Sequence, residues 1–391
     1  MKELLKRLTR DPSVERARHE IALLNWCDIS EHDLVLSRKL LFAPGGGNRI
    51  RWLLCRFTHP FGGVFTILRM ASMLQKYGFE SKIVVYDDPA FDISPMWGQI
   101  HRYFPNLTKE DFLPLSEDCA KLPGADIAVG TFWPSAYHLL KMRDITKKVL
   151  LVQDYEPAFY PAGTEYALAE NTLRMPFNRL YNTPGLLTYI ERNYPVPGKS
   201  AYFTPACDAR YAFCPKPLKP PYRVLFYARP DAPRNAFGLC VAFARTLKAK
   251  YGNDIELVCA GGRLSQGEKE LFGGCCTFAG VVPYEELPEF YGAFHFLVSF
   301  MLSKHPSYLP FEAMACGCAA IVNQNEANLW LLKDGENCLM AQAAVQPMMD
   351  AFERGLETQT YQRILSEGLR TVRSTTWEGE MEKIAAFFKN L

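Results

Sequence analysis

The chain has 391 residues, of which 48% are hydrophobic and 22% charged, enough for two soluble globular domains. Its 44 basic and 42 acidic residues leave a formal net charge of +2 and are spread along the chain, which disfavours a nucleic-acid partner. The opening segment MKELLKRLTRD lacks the apolar core of a signal peptide, and no apolar run is long enough to span a bilayer. These features predict a cytoplasmic protein.

The first ten residues raise the question of a membrane contact. Leu4, Leu5 and Leu8 alternate there with basic residues, a pattern that a helix can use to touch an anionic membrane surface. A plain solvated helix is the alternative. We therefore expect at most a weak peripheral contact, at the inner face of the membrane.

The first half alternates strands and helices after a charged helical leader at residues 1–48. The pattern predicts a βαβ unit and, after it, two more strands with a helix between them. The predicted strands are Arg49–Phe57, Lys82–Tyr86, Asp126–Val129 and Val149–Val152, and the predicted helices are Phe65–Tyr77, which ends at Gly78, and Ala136–Met142. We assign these elements to a Rossmann-like first domain at residues 49–204.

The second half repeats the alternation after a proline-rich segment. Five prolines between Thr204 and Pro221 resist regular structure and mark an interdomain linker at residues 205–221. The predicted strands are Arg223–Tyr227, Ile255–Ala260, a short one near Thr277, Phe296–Ser299 and Ala319–Val322, and the predicted helices are Phe237–Tyr251, Glu285–Ala293 and one that begins at Phe311. This order predicts two doubly wound α/β domains that face a cleft, with the second domain at residues 222–376.

The segment SKHPSYLPFEAMACG lies between an apolar strand and a helix. A helix that starts at Phe311 places Glu312 in its first turn. Backbone N–H groups at that turn can bind an anion, while the carboxylate can hold sugar hydroxyls. This pairing suits a nucleotide-diphosphate sugar.

A second segment, ARPDAPRNAFG, follows another predicted strand and carries Arg229 and Arg234. Two guanidinium groups at the carboxyl end of a strand can clamp a diphosphate by charge-assisted hydrogen bonds. An isolated arginine pair in a loop is more often solvated. Here both segments end strands of one α/β unit, where open parallel sheets bind their ligands, so we predict a clamp.

The second half resembles family 4 of the glycosyltransferases, which have the two-Rossmann-domain architecture called GT-B. The matching segments are AGG from Ala260, FAGVVPYEELPEFY from Phe278 and PFEAMACG from Pro310, besides the two arginines. The resemblance implies a donor diphosphate on the arginines and the nucleotide ribose on Glu312. It also implies that the backbone around Val282 meets the base.

The same resemblance assigns the loop before Glu312 to the phosphates and the transferred sugar. The loop residues expected to bind substrate are His305, Ser307, Tyr308 and Leu309. For His305 and Tyr308, support of the loop without contact to the donor is the alternative. In this architecture the last helix commonly crosses back to the first domain. We therefore expect the final amphipathic helix, Trp377–Lys389, to do so, with residues 377–391 as a separate C-terminal segment.

The first half resembles the WsaF-type rhamnosyltransferases of bacterial cell-surface glycans, through HPFGGVFTILRMASMLQKYGFESKIVVYD and VLLVQDYEPAFYPAGTEYALAENT. This narrower resemblance suggests deoxythymidine-diphosphate rhamnose as the donor. It implies a glycan or lipid-linked glycan as the acceptor. Transfer with retention of anomeric configuration is what the broader family implies.

Two positions depart from the family pattern. Lys304 stands eight residues before Glu312, where the family has a carboxylate, and it can supply positive charge to a diphosphate. Gln153 replaces a histidine at a strand end, which leaves Asp154 and Glu156 among the polar groups near the predicted reaction centre. The acceptor hydroxyl would be activated by the departing phosphate or by Asp154. The alternative is that Asp154 and Glu156 form a structural hydrogen-bonding pair.

The predicted mechanism uses neither metal nor cofactor. The chain contains no DxD sequence and no CxxC pair among its twelve cysteines, so it offers no obvious metal ligands. Arg229, Arg234 and Lys304 would stabilise the charge that grows on the leaving diphosphate. The loop at Gly62 and Gly63 would let the backbone approach sugar or phosphate closely. A nucleotide-sugar epimerase and a non-catalytic nucleotide- or glycan-binding scaffold remain alternatives.

Overall fold

The computed structural model describes residues 11–59, 62–114, 122 and 124–391, and these residues form two α/β units with one parallel sheet each. The strands are β1 Arg49–Leu54, β2 Glu80–Val85, β3 Phe112–Pro114, β4 Ile127–Gly130, β5 Lys147–Val152, β6 Asn178–Asn182, β7 Ser200–Phe203, β8 Tyr222–Tyr227, β9 Ile255–Ala260, β10 Thr277–Gly280, β11 Phe296–Ser299, β12 Ala319–Asn323 and β13 Leu339–Ala341. The α-helices are α1 Pro12–Leu24, α2 Glu31–Leu41, α3 Gly63–Met73, α4 Trp97–Tyr103, α5 Trp133–Lys141, α6 Thr164–Thr172, α7 Pro184–Asn193, α8 Phe237–Tyr251, α9 Gln266–Glu270, α10 Leu287–Gly292, α11 Leu309–Ala315, α12 Val345–Gly355, α13 Thr358–Arg373 and α14 Trp377–Lys389.

Both sheets are doubly wound. The first has the strand order β3-β2-β1-β4-β5-β6-β7 and the second the order β10-β9-β8-β11-β12-β13, with parallel pairing throughout. The central strands β4, β5, β11 and β12 are buried along their whole length, because helices cover both faces of each sheet. In each sheet the winding reverses beside the first strand, so the carboxyl ends of β1 and β8 mark the crevices where ligands bind.

The last helix, α14, packs on the first sheet although it follows the second in sequence. Trp377, Met381 and Ile384 belong to the hydrophobic core of the first unit. The Phe388 ring meets Trp52 edge to face, with 5.8 Å between the ring centroids. The chain therefore crosses between the two units twice, once through the segment between β7 and β8 and once before α14.

The leader also packs on the first unit. Leu23 and Leu34, on α1 and α2, contact the core beneath α5, and the Lys141 ammonium donates to the Trp26 carbonyl at 2.5 Å. The residues behind the predicted membrane contact, Leu4, Leu5 and Leu8, lie outside the described residues. Within the described part of the chain, no helix has the length and apolar character needed to cross a membrane.

Several elements coincide with their prediction. α8, β9, β11 and α14 have the predicted bounds. The helix expected from Phe311 begins two residues earlier, because Pro310 fits the first turn of a helix, and Glu312 still lies in that turn. The predicted helix Glu285–Ala293 is wrong in its first turn, where residues Tyr284–Glu286 form a 3₁₀ turn before α10.

Candidate active site

A cavity of about 750 Å³ opens between the two units, within the usual size of a small-molecule site. Helix α3 forms one wall and the segment between β7 and β8 another, and the loops after β8, β9, β10 and β11 line it together with residues of α10, α11 and α14. The predicted site residues that line it are Gly62, Arg229, Val282, Ser307, Tyr308, Leu309 and Glu312. The others, Gly63, Gln153, Asp154, Glu156, Arg234, Lys304 and His305, lie outside this lining.

Arg229 supplies positive charge to the cavity wall. It lies two residues after β8, at the crevice of the second sheet, and its side chain is 34% exposed. Asp231 pairs with it loosely, at 3.7 Å, and is itself mostly exposed. Because this pair is weak and open to water, an anionic ligand can displace it.

Glu312 lies on the same cavity at the start of α11, and a tyrosine holds its carboxylate. The Tyr291 hydroxyl donates to Oε2 at 3.0 Å. Burial raises the pKa of Glu312 to about 7, although the bond from Tyr291 lowers it. A carboxyl group so poised can accept or donate a hydrogen bond near neutral pH.

The predicted linker contributes charged side chains beside the cavity that the sequence analysis missed. Asp208 accepts hydrogen bonds from Arg69 of the first unit at 2.9 Å and from the Tyr284 hydroxyl at 2.6 Å. The Arg210 guanidinium lies over the Tyr284 ring at 3.7 Å from its centroid. The charged and aromatic residues within DARY were the available signal, but the surrounding prolines favoured the interpretation as a plain linker.

A second group of polar side chains joins the two units beside the cavity. We call Asp154, Ser303, Lys304 and Arg234 the interdomain clasp. Asp154, two residues after β5, is only 8% exposed and accepts from the Ser303 hydroxyl at 2.6 Å and the Lys304 amide at 3.0 Å. Arg234 lies over the Phe159 ring at 3.9 Å from its centroid and interacts electrostatically with Asp154. The clasp ties the loop after β11 to the first unit.

Asp154 gives the folded protein a pH dependence that can be measured. Burial raises its pKa to about 6 from 3.8, although the bond from Ser303 opposes the rise. The folded state therefore binds this proton more tightly, so the contribution to stability is full below about pH 4 and is lost as the pH rises through about 6. As the pH rises between those limits, we expect the free energy of unfolding to fall less for Asp154→Asn than for the wild-type protein. The difference should be on the order of 1 to 3 kcal/mol, measured in urea titrations. Identical pH profiles for the two proteins would contradict this expectation.

Lys304 has a protein partner for its charge. Its ammonium lies 2.6 Å from Glu326, and its side chain is 20% exposed. It also faces the Tyr189 ring of the first unit, at 5.0 Å from the centroid. The contact of Lys304 with a diphosphate stays a prediction, and it would require this ion pair to open.

The turn into α3 places backbone close to the crevice of the first sheet. Gly62 has φ +51° and ψ −118°, a conformation that side chains strongly disfavour. At Gly63 a Cβ atom would lie 2.9 Å from the Gln153 amide nitrogen, which itself donates to the Thr131 carbonyl at 3.4 Å. The two glycines therefore let α3 begin directly against Gln153.

Helix α5 begins against Glu156. The Trp133 amide donates to its carboxylate at 2.6 Å, and burial holds the pKa of Glu156 well above its ordinary value. Glu156 therefore has a structural partner at the N-terminus of α5.

The loop before α11 is strained and held from both units. Ser307 has φ +68°, an unusual conformation for a residue with a side chain. Its amide donates to His305 Nδ1 at 3.0 Å, so the ring proton resides on Nε2, and burial lowers the pKa of His305 to about 3. The Tyr308 hydroxyl lies 2.8 Å from Thr66 Oγ1, across the cleft.

Three buried polar atoms in this region have no hydrogen-bond partner among the described residues. They are Gln153 Oε1, Asn182 Oδ1 and His305 Nε2. Buried polar groups are normally paired, so such atoms are candidates for contact with bound substrate or ordered water. The first two come from the carboxyl ends of β5 and β6, and the third from the loop after β11.

Two Rossmann-like domains, each with a parallel sheet, and a cavity in the cleft between them are typical of the GT-B architecture. Solved structures of other proteins share this fold. HepE of Anabaena, in complex with UDP and glucose, superposes with a TM-score of 0.67 at 14% identity, over 88% of this chain and 100% of that one. A point mutant of TarM of S. aureus, in complex with fondaparinux, alpha-GlcNAc-glycerol and UDP, superposes with a TM-score of 0.71 at 8% identity, with the same coverage.

Sequence comparison narrows the class. Residues 222–353 match the model of the WsaF C-terminal domain. The O-antigen biosynthesis protein RfbC of Myxococcus xanthus is 34% identical over 384 residues, which is 94% of this chain but only 29% of that protein. The chain thus spans less than a third of the length of this relative. The predicted GT-B fold is confirmed, and the predicted likeness to WsaF is confirmed by the match of residues 222–353 in the second domain.

Proposed function

We propose that the protein transfers a sugar, with L-rhamnose as the best candidate, from a nucleoside-diphosphate donor to a glycan acceptor in cell-surface polysaccharide synthesis. The cavity carries this proposal, since Arg229 and Glu312 both line it and are positioned by loops at the carboxyl ends of parallel strands. The relative named for O-antigen biosynthesis supports the pathway, and the neighbours solved with UDP support a nucleotide-sugar donor. The rhamnose and its deoxythymidine carrier rest on the WsaF likeness alone.

The proposed donor lies along the cavity. Its diphosphate would be bound by Arg229, its ribose by Glu312 and its base by the backbone around Val282. The sugar would then lie at the loop of Ser307 and Tyr308, against the first domain. We propose a cytoplasmic reaction with a glycan or lipid-linked glycan acceptor, which would approach from the first domain.

The proposed transfer retains the anomeric configuration. The bond from sugar C1 to the diphosphate oxygen breaks, C1 bonds the acceptor oxygen, and the acceptor proton passes to the departing phosphate. Arg229 would stabilise the charge that develops on the leaving group, in place of a metal ion. The hydrogen bonds on Asp154 favour the departing phosphate over this carboxylate as the acceptor of the proton, since both carboxylate oxygens already bind the loop after β11.

Calorimetry with the diphosphates of deoxythymidine, uridine, guanosine and adenosine, and with their sugars, tests this function. We expect binding without added metal, strongest for deoxythymidine-diphosphate rhamnose, and loss of binding in Glu312→Ala but not in Glu336→Ala, an exposed carboxylate of the same domain. Preference for another nucleotide would overturn the donor assignment. Binding of none would overturn the transferase proposal.

A further inference from the structure

Among the described residues, three arginines line the cavity, and they differ in what neutralises their charge. Arg69 lies 2.8 Å from Asp208, and Arg229 has its loose pair with Asp231. The third arginine, Arg263, is exposed, and its guanidinium forms neither a hydrogen bond nor an ion pair with any residue that the structure describes. Arg263 therefore brings an unopposed positive charge to the cavity wall.

Glu268, the acidic residue of the same segment, also lines the cavity but has other partners. Its carboxylate accepts from the Ser265 amide at 2.6 Å and from the Ser265 hydroxyl at 2.8 Å, in a capping box at the start of α9. These hydrogen bonds direct Glu268 to Ser265 instead of to Arg263. An anion supplied by a ligand is the partner that Arg263 lacks.

Backbone contacts place Arg263 beside the loop that carries Arg229. The strands β8 and β9 are neighbours, and just beyond β8 the Ala228 amide donates to the Ala260 carbonyl at 2.9 Å. A Cβ atom on Gly262 would lie 2.8 Å from the Ala228 carbonyl oxygen, so a glycine is needed for the two loops to pack this closely. Two guanidinium groups on adjoining loops repel each other unless an anion lies between them. This part of the wall therefore has the charge pattern of an anion site.

The position of Arg263 differs from that of Arg234, which the sequence predicts as the second arginine of the clamp. Arg234 lies over the Phe159 ring, outside the cavity lining. Because the strand order is β10-β9-β8, Arg263, after β9, lies between the loop of Val282 and the loop of Arg229. These two loops are the places proposed for the base and the diphosphate. Arg263 is therefore on the nucleoside side of the proposed diphosphate position.

We propose that Arg263 is the second cation of the donor site and binds the diphosphate at the phosphate nearer the nucleoside, next to the contact made by Arg229. The inference rests on the proposed function, because it assumes that a nucleoside diphosphate lies along this cavity. Guanidinium groups present paired N–H donors that match the geometry of phosphate oxygens. Two of them on adjoining loops bind the diphosphate from within one domain, without a contribution from Arg234.

Calorimetry with the diphosphates of deoxythymidine, uridine, guanosine and adenosine tests this role. Arg263→Ala is expected to weaken the binding of every diphosphate that the wild-type protein binds by a common factor of about ten. The factor is common because these ligands share their phosphates and differ in their bases. Arg263→Lys keeps the charge and should retain more affinity than Arg263→Gln, which does not. Lys269→Ala removes a nearby charge from α9, outside the cavity lining, and should bind like the wild-type protein.

The outcomes separate this inference from the function beneath it. Binding by Arg263→Ala within about twofold of the wild-type protein overturns the inference and leaves the transferase proposal intact. A loss that differs between the bases also overturns it, since Arg263 would then contact the base. An equal loss in Lys269→Ala, or a glutamine variant that binds as tightly as the lysine variant, overturns it as well, because neither result fits a charged contact with phosphate. If the wild-type protein binds none of the diphosphates, the proposed function falls, and the inference with it.

Discussion

Replacement of Arg229 by alanine is expected to weaken the binding of a nucleoside diphosphate roughly ten- to hundredfold. Arg229 lines the cavity after β8, and its only ion pair among the described residues is the loose contact with exposed Asp231. Its guanidinium can therefore turn to the ligand without leaving a buried charge behind. Calorimetry with the diphosphate preferred by the wild-type protein measures the effect.

Two further variants serve as a control and a comparison in this experiment. Arg245→Ala removes the same charge from the exposed face of α8 and should keep wild-type affinity. Arg234→Ala is expected to lose less affinity than Arg229→Ala, because Arg234 packs on Phe159 and faces Asp154 outside the cavity lining. Equal losses at the two arginines would instead support the clamp of both that the sequence predicts. Unchanged affinity in Arg229→Ala would remove Arg229 from the donor site.

The helices and strands that the sequence predicts correctly are those with a clear local hydrophobic pattern. α8 and α14 show clear amphipathic patterns, and β11 is a short apolar run between turns, so their bounds follow from the sequence. Strand β6 was missed because it reads NRLYN, with Asn178, Arg179 and Asn182 all buried. The Arg179 guanidinium donates there to the carbonyls of Tyr194 and Leu173, contacts outside the strand that no local pattern reveals.

The same distinction separates the site residues that the sequence predicts from those that it does not. Arg229 is predicted because it follows a recognisable strand, and Glu312 because it lies in the first turn of a recognisable helix. The contribution of Asp208 and Tyr211 depends on how the segment after β7 folds back over the cavity, which its prolines do not indicate. Lys304 was expected at the diphosphate from its charge and its position eight residues before Glu312, but no local pattern predicts its ion pair with Glu326, twenty-two residues later.

The clasp gives Asp154 a role that differs from that of a base. A general base needs an oxygen within reach of the acceptor hydroxyl, but both oxygens of Asp154 bind the loop after β11. That loop continues to Ser307 and Tyr308 on the cavity wall. Asp154 is therefore better described as a positioning residue, which keeps the loop against the first domain while the reaction proceeds.

Substitution of Asp154 by alanine is expected to lower kcat roughly a hundredfold or more while the affinity for the nucleoside diphosphate changes little. The variant removes two charge-assisted hydrogen bonds between the domains and the counter-ion of Arg234, so the loop after β11 loses its anchor. Ser303→Ala removes one of those bonds without touching the carboxylate and should lower kcat about tenfold. Steady-state kinetics with a saturating donor, beside calorimetry of the free nucleotide, measures both effects. Ser374→Ala, at an exposed serine after α13, serves as the control.

The pattern across three variants decides between the two roles. A positioning role predicts that Asp154→Asn retains part of the activity, since an amide can still pair with the Ser303 hydroxyl and the Lys304 amide. A base would behave differently: Asp154→Asn would be as inactive as Asp154→Ala, and Ser303→Ala would be nearly wild type. The pH dependence of kcat adds an independent measure, because a base of pKa about 6 would impose an acid limb that Asp154→Asn abolishes. An unchanged acid limb in the partly active Asp154→Asn would establish that the proton is accepted elsewhere, with the departing phosphate as the remaining candidate.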